Sequence, residues 1–297
     1  MIKDNLVIGL GEILWDVLPE GKKLGGAPAN FAYHASQFGL NAMAVSAIGQ
    51  DPLGDETLRA LESKGLDYYI ERIEYPTGTV QVRLDANGIP HYEIKEGVAW
   101  DNIPYTDSMK QLAQHCRAVC FGSLAQRNNI SRRTIAKFLD TMPEDREQLK
   151  IFDINLRQEF YSEEVIDASL RRCNVLKINE EEIMQVKTLF EWEETGFETV
   201  CRKLLERYGL KMVILTCGVN GSYVFMPRFT SFQPTPHVKV ADTVGAGDSF
   251  TGAFTAAIMN NLPITEAHEL AVKVSAYVCT QQGAMPKIPE ALRKFAK

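Results

Sequence analysis

Cysteine is sparse. Six are scattered over 297 residues, at positions 116, 120, 173, 201, 217 and 279, and no two stand in a CxxC spacing. This excludes a disulfide-stapled secreted scaffold and predicts reduced, mostly buried thiols of a cytoplasmic protein. The five histidines are equally dispersed, with no HExxH pair and no His/Cys cluster, which excludes a zinc centre. No apolar run approaches the ~20 residues of a membrane helix. The short run Leu6–Leu10 follows Asp4 and is too brief for a signal-peptide core, so it reads as a first buried strand. Basic charge is in deficit, 32 Lys and Arg against 38 Asp and Glu, for a formal net charge of −6. Neither a nucleic-acid backbone nor an anionic membrane is therefore an expected partner.

Several nucleotide fingerprints are missing as well. Gly9-Leu10-Gly11 begins a GxG, but Leu14 takes the place of the third glycine and the dinucleotide motif fails. There is no GxxxxGK[ST], and the HRD and DFG elements of protein kinases are absent. Repeats, low-complexity stretches and an interdomain linker are also lacking.

What remains is an ordinary globular composition, 45% hydrophobic and 24% charged, in a length that suits one α/β domain over residues 1–297. Short apolar runs at 6–9, 42–48, 118–122, 150–153, 175–178 and 212–216 read as buried strands. Helical patterns at 30–38, 53–64, 133–141 and 199–208 lie between them. This alternation predicts an α/β fold, a mostly parallel central sheet with helices on both faces. One region breaks the rhythm. Val80, Val82 and Leu84 alternate with Thr79, Gln81 and Arg83, Asn87-Gly88 supplies a turn, and residues 91–94 return. This hairpin is expected to belong to a small β lid, mainly 12–24 and 77–100; an edge hairpin of the main sheet is the alternative.

The segment Ala241-Asp242-Thr243-Val244-Gly245-Ala246-Gly247-Asp248 carries the most chemistry. Phe250, Ala253, Phe254, Ala257 and Ile258 follow at helical spacing, and Val238 and Val240 suggest a strand before it. A glycine-rich turn at a helix start leaves backbone N–H groups free beside the positive end of the helix dipole, which suits phosphate oxygens. A carboxylate there would repel phosphate. Asp248 makes sense if it orients an incoming hydroxyl and takes its proton; an ordinary helix cap is the competing reading.

A second glycine-rich loop, Gly25-Gly26-Ala27-Pro28-Ala29-Asn30, also precedes a helical pattern. Asn30 offers a donor and an acceptor for a sugar hydroxyl. Upstream, Gly11-Glu12-Ile13-Leu14-Trp15-Asp16 ends the first strand with polar groups, where open parallel sheets place their ligands. A flexible loop is the plain alternative for the two glycines. Trp15 and Trp100 are expected in the core rather than at a sugar, and Glu180 in a solvated first helical turn.

Together the GGAPAN and DTVGAGDSF segments resemble the two signatures of the ribokinase-like carbohydrate kinases, and the resemblance runs over essentially the whole chain. Within that family the stretches GEILWDVLPEG and LGGAPANFAYHASQFG look most like bacterial fructokinases. The resemblance implies a ribokinase-like fold and ATP-dependent phosphorylation of a sugar hydroxyl, with D-fructose as the leading acceptor. It implies Asp248 as catalytic base and an anion hole from Gly245, Ala246 and Gly247. Asp16, Gly26, Asn30 and Arg157 would hold the sugar, and Asn179, Thr216, Gly218 and Gly221, with Gly245 and Gly247, would hold ATP. Asn179 and Glu182 match an NxxE motif that organises magnesium through water, and Asp242 with the Val244 carbonyl matches a monovalent-cation (potassium) site. The partners so implied are a small sugar and ATP; homodimerisation through lid strands is a separate expectation, because uncovered strand edges invite pairing.

The chain departs from the pattern in two places. Phe160-Tyr161 follows Asn155-Leu156-Arg157 where many fructokinases have Leu-Trp. Gly122-Ser123-Leu124-Ala125-Gln126-Arg127 lacks the sugar-binding acid of ribokinases, which points away from ribose and leaves Gln126 or Arg127 as substitutes. Acceptors such as 2-keto-3-deoxygluconate, with Arg157 or Arg127 on its carboxylate, ribose or a nucleoside are alternatives, as is a non-catalytic sugar-binding protein.

Overall fold

The structure, a computed structural model, describes residues 5–18, 21–84, 90–144 and 147–293. In chain order the strands are β1 (Leu6–Leu10), β2 (Leu14–Leu18), β3 (Gly21–Gly25), β4 (Asn41–Gly49), β5 (Asp67–Ile73), β6 (Gly78–Leu84) and β7 (Pro90–Ile94). They continue with β8 (Cys116–Phe121), β9 (Leu149–Asp153), β10 (Val175–Asn179), β11 (Met212–Thr216), β12 (Ser222–Met226) and β13 (Phe229–Gln233). The main helices are α1 (Ala27–Gln37), α2 (Pro52–Lys64), α3 (Asp107–His115), α4 (Asn129–Thr141) and α5 (Glu163–Leu170). After these come α6 (Glu180–Leu189), α7 (Phe197–Tyr208), α8 (Ala246–Met259) and α9 (Ile264–Cys279).

The sheet order is β13-β12-β11-β10-β9-β8-β1-β4-β5, parallel from β5 through β11 and closed at one edge by the antiparallel pair β12 and β13. Each expected central strand is present within a residue or two. They were legible because a parallel strand covered on both faces has no polar side to show. Alternate residues of β1 feed two separate cores. Leu6, Ile8 and Leu10 join one, with Phe121, Phe152 and Leu176, while Val7 joins the other, with Phe31, Phe250 and Phe254.

The 79–94 hairpin lies in a second, four-stranded sheet of order β3-β2-β6-β7, not on the edge of the main one. Its expected turn at Asn87-Gly88 lies outside the described residues, but β6 and β7 pair antiparallel on either side, with Val80 opposite Ile94. The strand expected at Val238 and Val240 is absent. Both side chains are exposed, and the chain from 234 to 240 runs without a ladder partner. No helix among the described residues is long and apolar enough to cross a membrane.

One helix crossing positions the site. α1 and α8 approach so closely that a Cβ on Gly252 would lie 2.8 Å from His34 Cβ and 2.9 Å from the Phe31 carbonyl oxygen. With hydrogen in that place, the starts of the two helices come together at the carboxyl ends of β1, β9 and β10.

Candidate active site

A cleft of about 1340 Å³ opens between the carboxyl ends of the main strands and the small sheet. Asp16, Leu18, Lys23, Val80 and Ile94 of the small sheet form one wall. Apart from Gln126 and Arg127, the residues singled out for a site role line this cleft: Asp16, Gly26, Asn30, Arg157, Asn179, Glu182, Thr216, Gly218, Gly221, Asp242, Val244, Gly245, Ala246, Gly247 and Asp248.

Gly245 is the N-cap of α8 at φ 77°, in the left-handed region where a side chain is strained, and an added Cβ would stand 2.7 Å from Ala284. Asp248 lies in the helix's first turn but does not cap it. Its Oδ2 instead accepts a hydrogen bond from Asn30 Nδ2 at 2.8 Å, which joins the two glycine-rich motifs. Burial raises the Asp248 pKa to about 6, with repulsion from Asp153 adding to it; Asn30, Lys177 and Arg157 pull the other way. A carboxylate poised there is ionised at neutral pH yet basic enough to accept a proton.

Glu12 shares the acceptor end of the cleft. It is 2% exposed, and its Oε2 has no hydrogen-bond partner. Burial raises its pKa to about 7, its own amide and that of Ala27 oppose this, and Asp248 adds repulsion. Asp16 is likewise raised by burial, against the pull of Lys23 and Arg157. Arg157 lies between Asn155 and Gln158, which both hold positive φ, 45° and 47°, so the loop after β9 bends sharply on either side of it. Such backbone is costly for residues with a side chain and clusters at functional sites.

At the other end, Asn179 and Glu182 form a capping box on α6. Asn179 Oδ1 accepts the amides of Glu181 and Glu182 at 2.9 and 2.8 Å, and Glu182 Oε2 accepts that of Asn179 at 2.9 Å. Glu182 Oε1 takes the Leu156 amide at 3.0 Å, and the carboxylate is buried. Glu180 and Glu181 are exposed. Among the described residues no group of three His, Cys, Asp or Glu side chains could hold a metal. This donor set suits an ion held through its waters, since each oxygen already serves an amide and offers only a spare lone pair. Asp242 accepts the amides of Val244 and Gly283 at 3.1 and 3.0 Å, tying the glycine turn to the segment after α9.

Val219, Val238, Val240 and Val244 are exposed, and all four line the cleft. Apolar side chains gathered around a concave surface mark a binding wall rather than a strand.

Gln126 and Arg127 are not in the cleft. Gln126 Nε2 is spent on the Gly122 carbonyl and Ser169 Oγ at 2.8 and 3.0 Å. Arg127 is buried, bidentate on Asp101 at 2.7 and 2.9 Å, and stacked 4.1 Å from the Trp100 ring centroid. Neither can replace the missing sugar-binding acid or meet a keto acid. Trp15 and Trp100 are core residues, as expected; Trp15 Nε1 donates to Thr57 Oγ1 at 2.9 Å.

Two charged groups went unnoticed in the sequence. Asp153 ends β9, and Lys177 interrupts the apolar run of β10; Lys177 Nζ lies 3.0 Å from Asp153 Oδ1 beneath the glycine turn. A lysine inside a continuous apolar strand was the available signal. Burial alone would lower its pKa, but Asp153, Glu182 and Asp248 outweigh that and hold it above the usual lysine range.

Residues 19–291 match the pfkB family of carbohydrate kinases. The chain belongs to that family. Among its pfkB relatives, the ATP-dependent 6-phosphofructokinase of Thermoanaerobacterium thermosaccharolyticum is 27% identical, over 96% of this chain and 91% of its own. A fructokinase of Vibrio alginolyticus is 26% identical, with 96% of each chain covered. The crystal structure of an uncharacterised sugar kinase from Pyrococcus horikoshii in complex with ATP superposes with a TM-score of 0.81, at 25% identity and 98% coverage of both chains. The ribokinase-like fold, with its mostly parallel sheet and flanking helices, is thus common to this chain and its relatives.

Proposed function

We propose that this pfkB kinase transfers the γ-phosphoryl group of ATP to a hydroxyl of an uncharged sugar, D-fructose foremost, with Asp248 as general base. One observation carries the reading: Asp248 faces the cleft, bonded to Asn30 of the other glycine-rich motif instead of capping its own helix.

In this reading Asp16, Gly26, Asn30 and Arg157 orient the sugar, and Asp248 takes the proton of the attacking hydroxyl. The new bond forms to the γ-phosphorus, the bond to the β,γ-bridging oxygen breaks, and ADP leaves with that electron pair. The N–H groups of Gly245 and Gly247 face the charge that builds on the transferring group, and that of Ala246, which here donates to the Thr243 carbonyl at 3.2 Å, would leave that bond to join them. The valine wall takes the base of ATP, and Thr216, Gly218, Gly221 and Asn179 border its sugar and phosphates. Magnesium, held through water by Asn179 and Glu182, would neutralise phosphate charge. Potassium would sit with Asp242 and the Val244 carbonyl, beside the turn. The small sheet acts as the lid that keeps water from the γ-phosphoryl group.

Relatives named for fructose and for fructose 6-phosphate pose the choice between a neutral and an anionic acceptor. Glu12, Asp16 and Asp248 line the acceptor end, where Arg157 and Lys23 are cations and Lys177, which also lines the cleft, is paired with Asp153. Arg157 and Lys23 already stabilise Asp16. A second phosphate, or the carboxylate of 2-keto-3-deoxygluconate, would meet more carboxylates than free cations, which favours a neutral sugar. Free thiols among the described residues suit the expected cytoplasmic setting. Pairing of two chains through the open edges β3 and β7 belongs to the same proposal, and sedimentation tests it.

ADP release measured with fructose, ribose, 2-keto-3-deoxygluconate, adenosine and fructose 6-phosphate tests the reading. Fructose should give the highest kcat/KM. ADP release no faster with any acceptor than with ATP alone would reject it.

A further inference from the structure

Asn30 and His34 stand one turn apart on the same face of α1, as Asp248 and Gly252 do on α8. The two helices therefore meet in two rungs. The first is the hydrogen bond between Asn30 and Asp248. The second is close packing, with the His34 side chain set where Gly252 has none. His34 is fully buried, and its Nε2 lies 2.8 Å from the carbonyl oxygen of Ala284. A carbonyl only accepts, so Nε2 carries the hydrogen and donates it, and Nδ1 is the bare nitrogen. Among the described residues Nδ1 has no hydrogen-bond partner. Burial lowers the His34 pKa to about 4, which keeps the ring neutral.

Ala284 belongs to a strap, residues 281–289, which forms neither helix nor strand and is held by side chains. Asp242 accepts the Gly283 amide at 3.0 Å, and Lys64 Nζ donates to the Met285 carbonyl at 2.9 Å. Gln37 donates to the Pro286 carbonyl at 3.2 Å and accepts the Ile288 amide at 2.7 Å. Ala284 itself packs on the glycine turn: a Cβ on Gly245 would stand 2.7 Å from its Cα and from its carbonyl oxygen. The oxygen that accepts from His34 is thus the oxygen that bears on Gly245. An apolar side chain of similar size would fill the same space without burying an unused nitrogen. What the imidazole adds is a directed bond of fixed length between α1 and the strap.

We propose that His34 is a positioning residue for phosphoryl transfer: through the Ala284 carbonyl it fixes Gly245, and with it the turn that receives the phosphoryl group, relative to the helix that carries Asn30. This rests on the kinase reading of the same site. His34 does not line the cleft, so it meets neither sugar nor ATP and exchanges no proton with them. The bond from Asn30 aligns the base with the hydroxyl. The bond from His34 aligns the opposite side, the amides that meet the transferring group. Gly245, at φ 77°, has no side chain to anchor it, so its place is imposed by what packs on it. Losing the His34 bond should leave sugar binding nearly intact and slow the chemical step, because transfer depends on alignment.

Three full-length variants test this. His34→Leu removes the donor at similar volume, and His34→Gln keeps an N–H at similar reach. Gln37→Leu cuts the outer contacts of the strap and leaves the bond to Ala284. Turnover is measured well below each Tm, so that every protein is folded. His34→Leu should lose about 10- to 10²-fold in kcat, the scale of a misplacement of up to about 1 Å, with KM for the sugar within about threefold of wild type. His34→Gln should recover most of that loss, and Gln37→Leu should lower Tm while keeping kcat within about twofold. An unchanged kcat in His34→Leu would overturn the proposal. So would equal losses in the two His34 variants, or a Gln37→Leu as slow as His34→Leu, the mark of a strap that acts only as a whole. If His34→Leu does not fold, the wild-type crystal structure with ADP, magnesium and fluoroaluminate, a mimic of the planar phosphoryl group, decides. Nε2 should stay about 3 Å from the Ala284 oxygen while the Gly245 amide meets a fluorine, and a broken bond or an amide turned away refutes the role. A wild-type protein that phosphorylates no acceptor would instead remove the kinase reading beneath it.

Discussion

Asn30 Nδ2 donates to Asp248 Oδ2 at 2.8 Å, a bond between side chains 218 residues apart in sequence. It joins the first turn of α1 to the first turn of α8, and so the loop assigned to the sugar to the turn assigned to the phosphate. A base that must be aimed at one hydroxyl needs a partner of this kind, because a carboxylate free to rotate would lose the alignment that phosphoryl transfer depends on.

The pH dependence of turnover should carry the Asp248 signature. Its pKa is raised to about 6, chiefly by burial and then by Asp153, and only the ionised form accepts a proton. The value of kcat/KM should therefore rise with pH through about 6 and level off above it. The groups that set this limb are Asp153, Asn30, Lys177 and Arg157, with Glu12 coupled through its own charge. A profile flat from pH 5 to 8 would remove Asp248 as the base.

Glu12 should make the fold pH-sensitive in a defined direction. Its pKa in the fold, about 7, lies above the ordinary glutamate value, so the fold favours its neutral form. That contribution is complete at pH below the unfolded value and is lost as pH rises through 7. Glu12→Gln, which stays neutral, should gain stability relative to wild type between pH 5 and pH 8, by about 2–3 kcal/mol at most. Paired thermal melts at the two pH values measure it, and an equal Tm difference at both contradicts it.

The crossing of α1 and α8 gives a packing test. Gly252→Ala places a Cβ 2.8 Å from His34 Cβ, nearer than packed carbon atoms come. The helices must part by some tenths of an ångström, at a cost of about 1–3 kcal/mol. Because Asn30 and Asp248 ride on these helices, kcat should fall along with Tm. A lowered Tm with unaltered kcat would show that the catalytic contact tolerates the shift.

Arg127 offers the opposite case, a buried cation with no part in the site. Arg127→Met leaves Asp101 unpaired in the interior and should cost about 3–5 kcal/mol in denaturant unfolding, while KM for the sugar in the folded fraction stays within about twofold of wild type, on the same tenfold-per-1.4 kcal/mol scale. A large rise in KM would return Arg127 to the acceptor site.

The central strands were readable from sequence because burial on both faces makes them apolar throughout. The two glycine-rich segments were readable because a ligand approaching backbone needs glycine wherever it lies in the fold. Val238 and Val240 misled: two valines at strand spacing are exposed here because they border a cleft, which local periodicity cannot distinguish from a ladder. β13 was invisible for a related reason, as an edge strand with mixed side chains, while β3 was anticipated only as part of a lid over 12–24, its own pattern being largely exposed. Gln126 and Arg127 sit in the right stretch of chain but turn into the interior, toward Ser169 and Asp101. The Asn179–Glu182 pair fits both a capping box and a water-mediated metal site, and the geometry is compatible with the two at once. Lys177 could have been found by asking why an apolar strand should carry a lysine at its centre.

The most direct test of the whole account is the rate of phosphoryl transfer by Asp248→Asn, with ATP affinity measured in parallel. Asparagine keeps the shape of the side chain but cannot take the proton. The account predicts a kcat lower by about 10²–10⁴-fold, with ATP binding close to wild type. Near-normal turnover in that variant would contradict it.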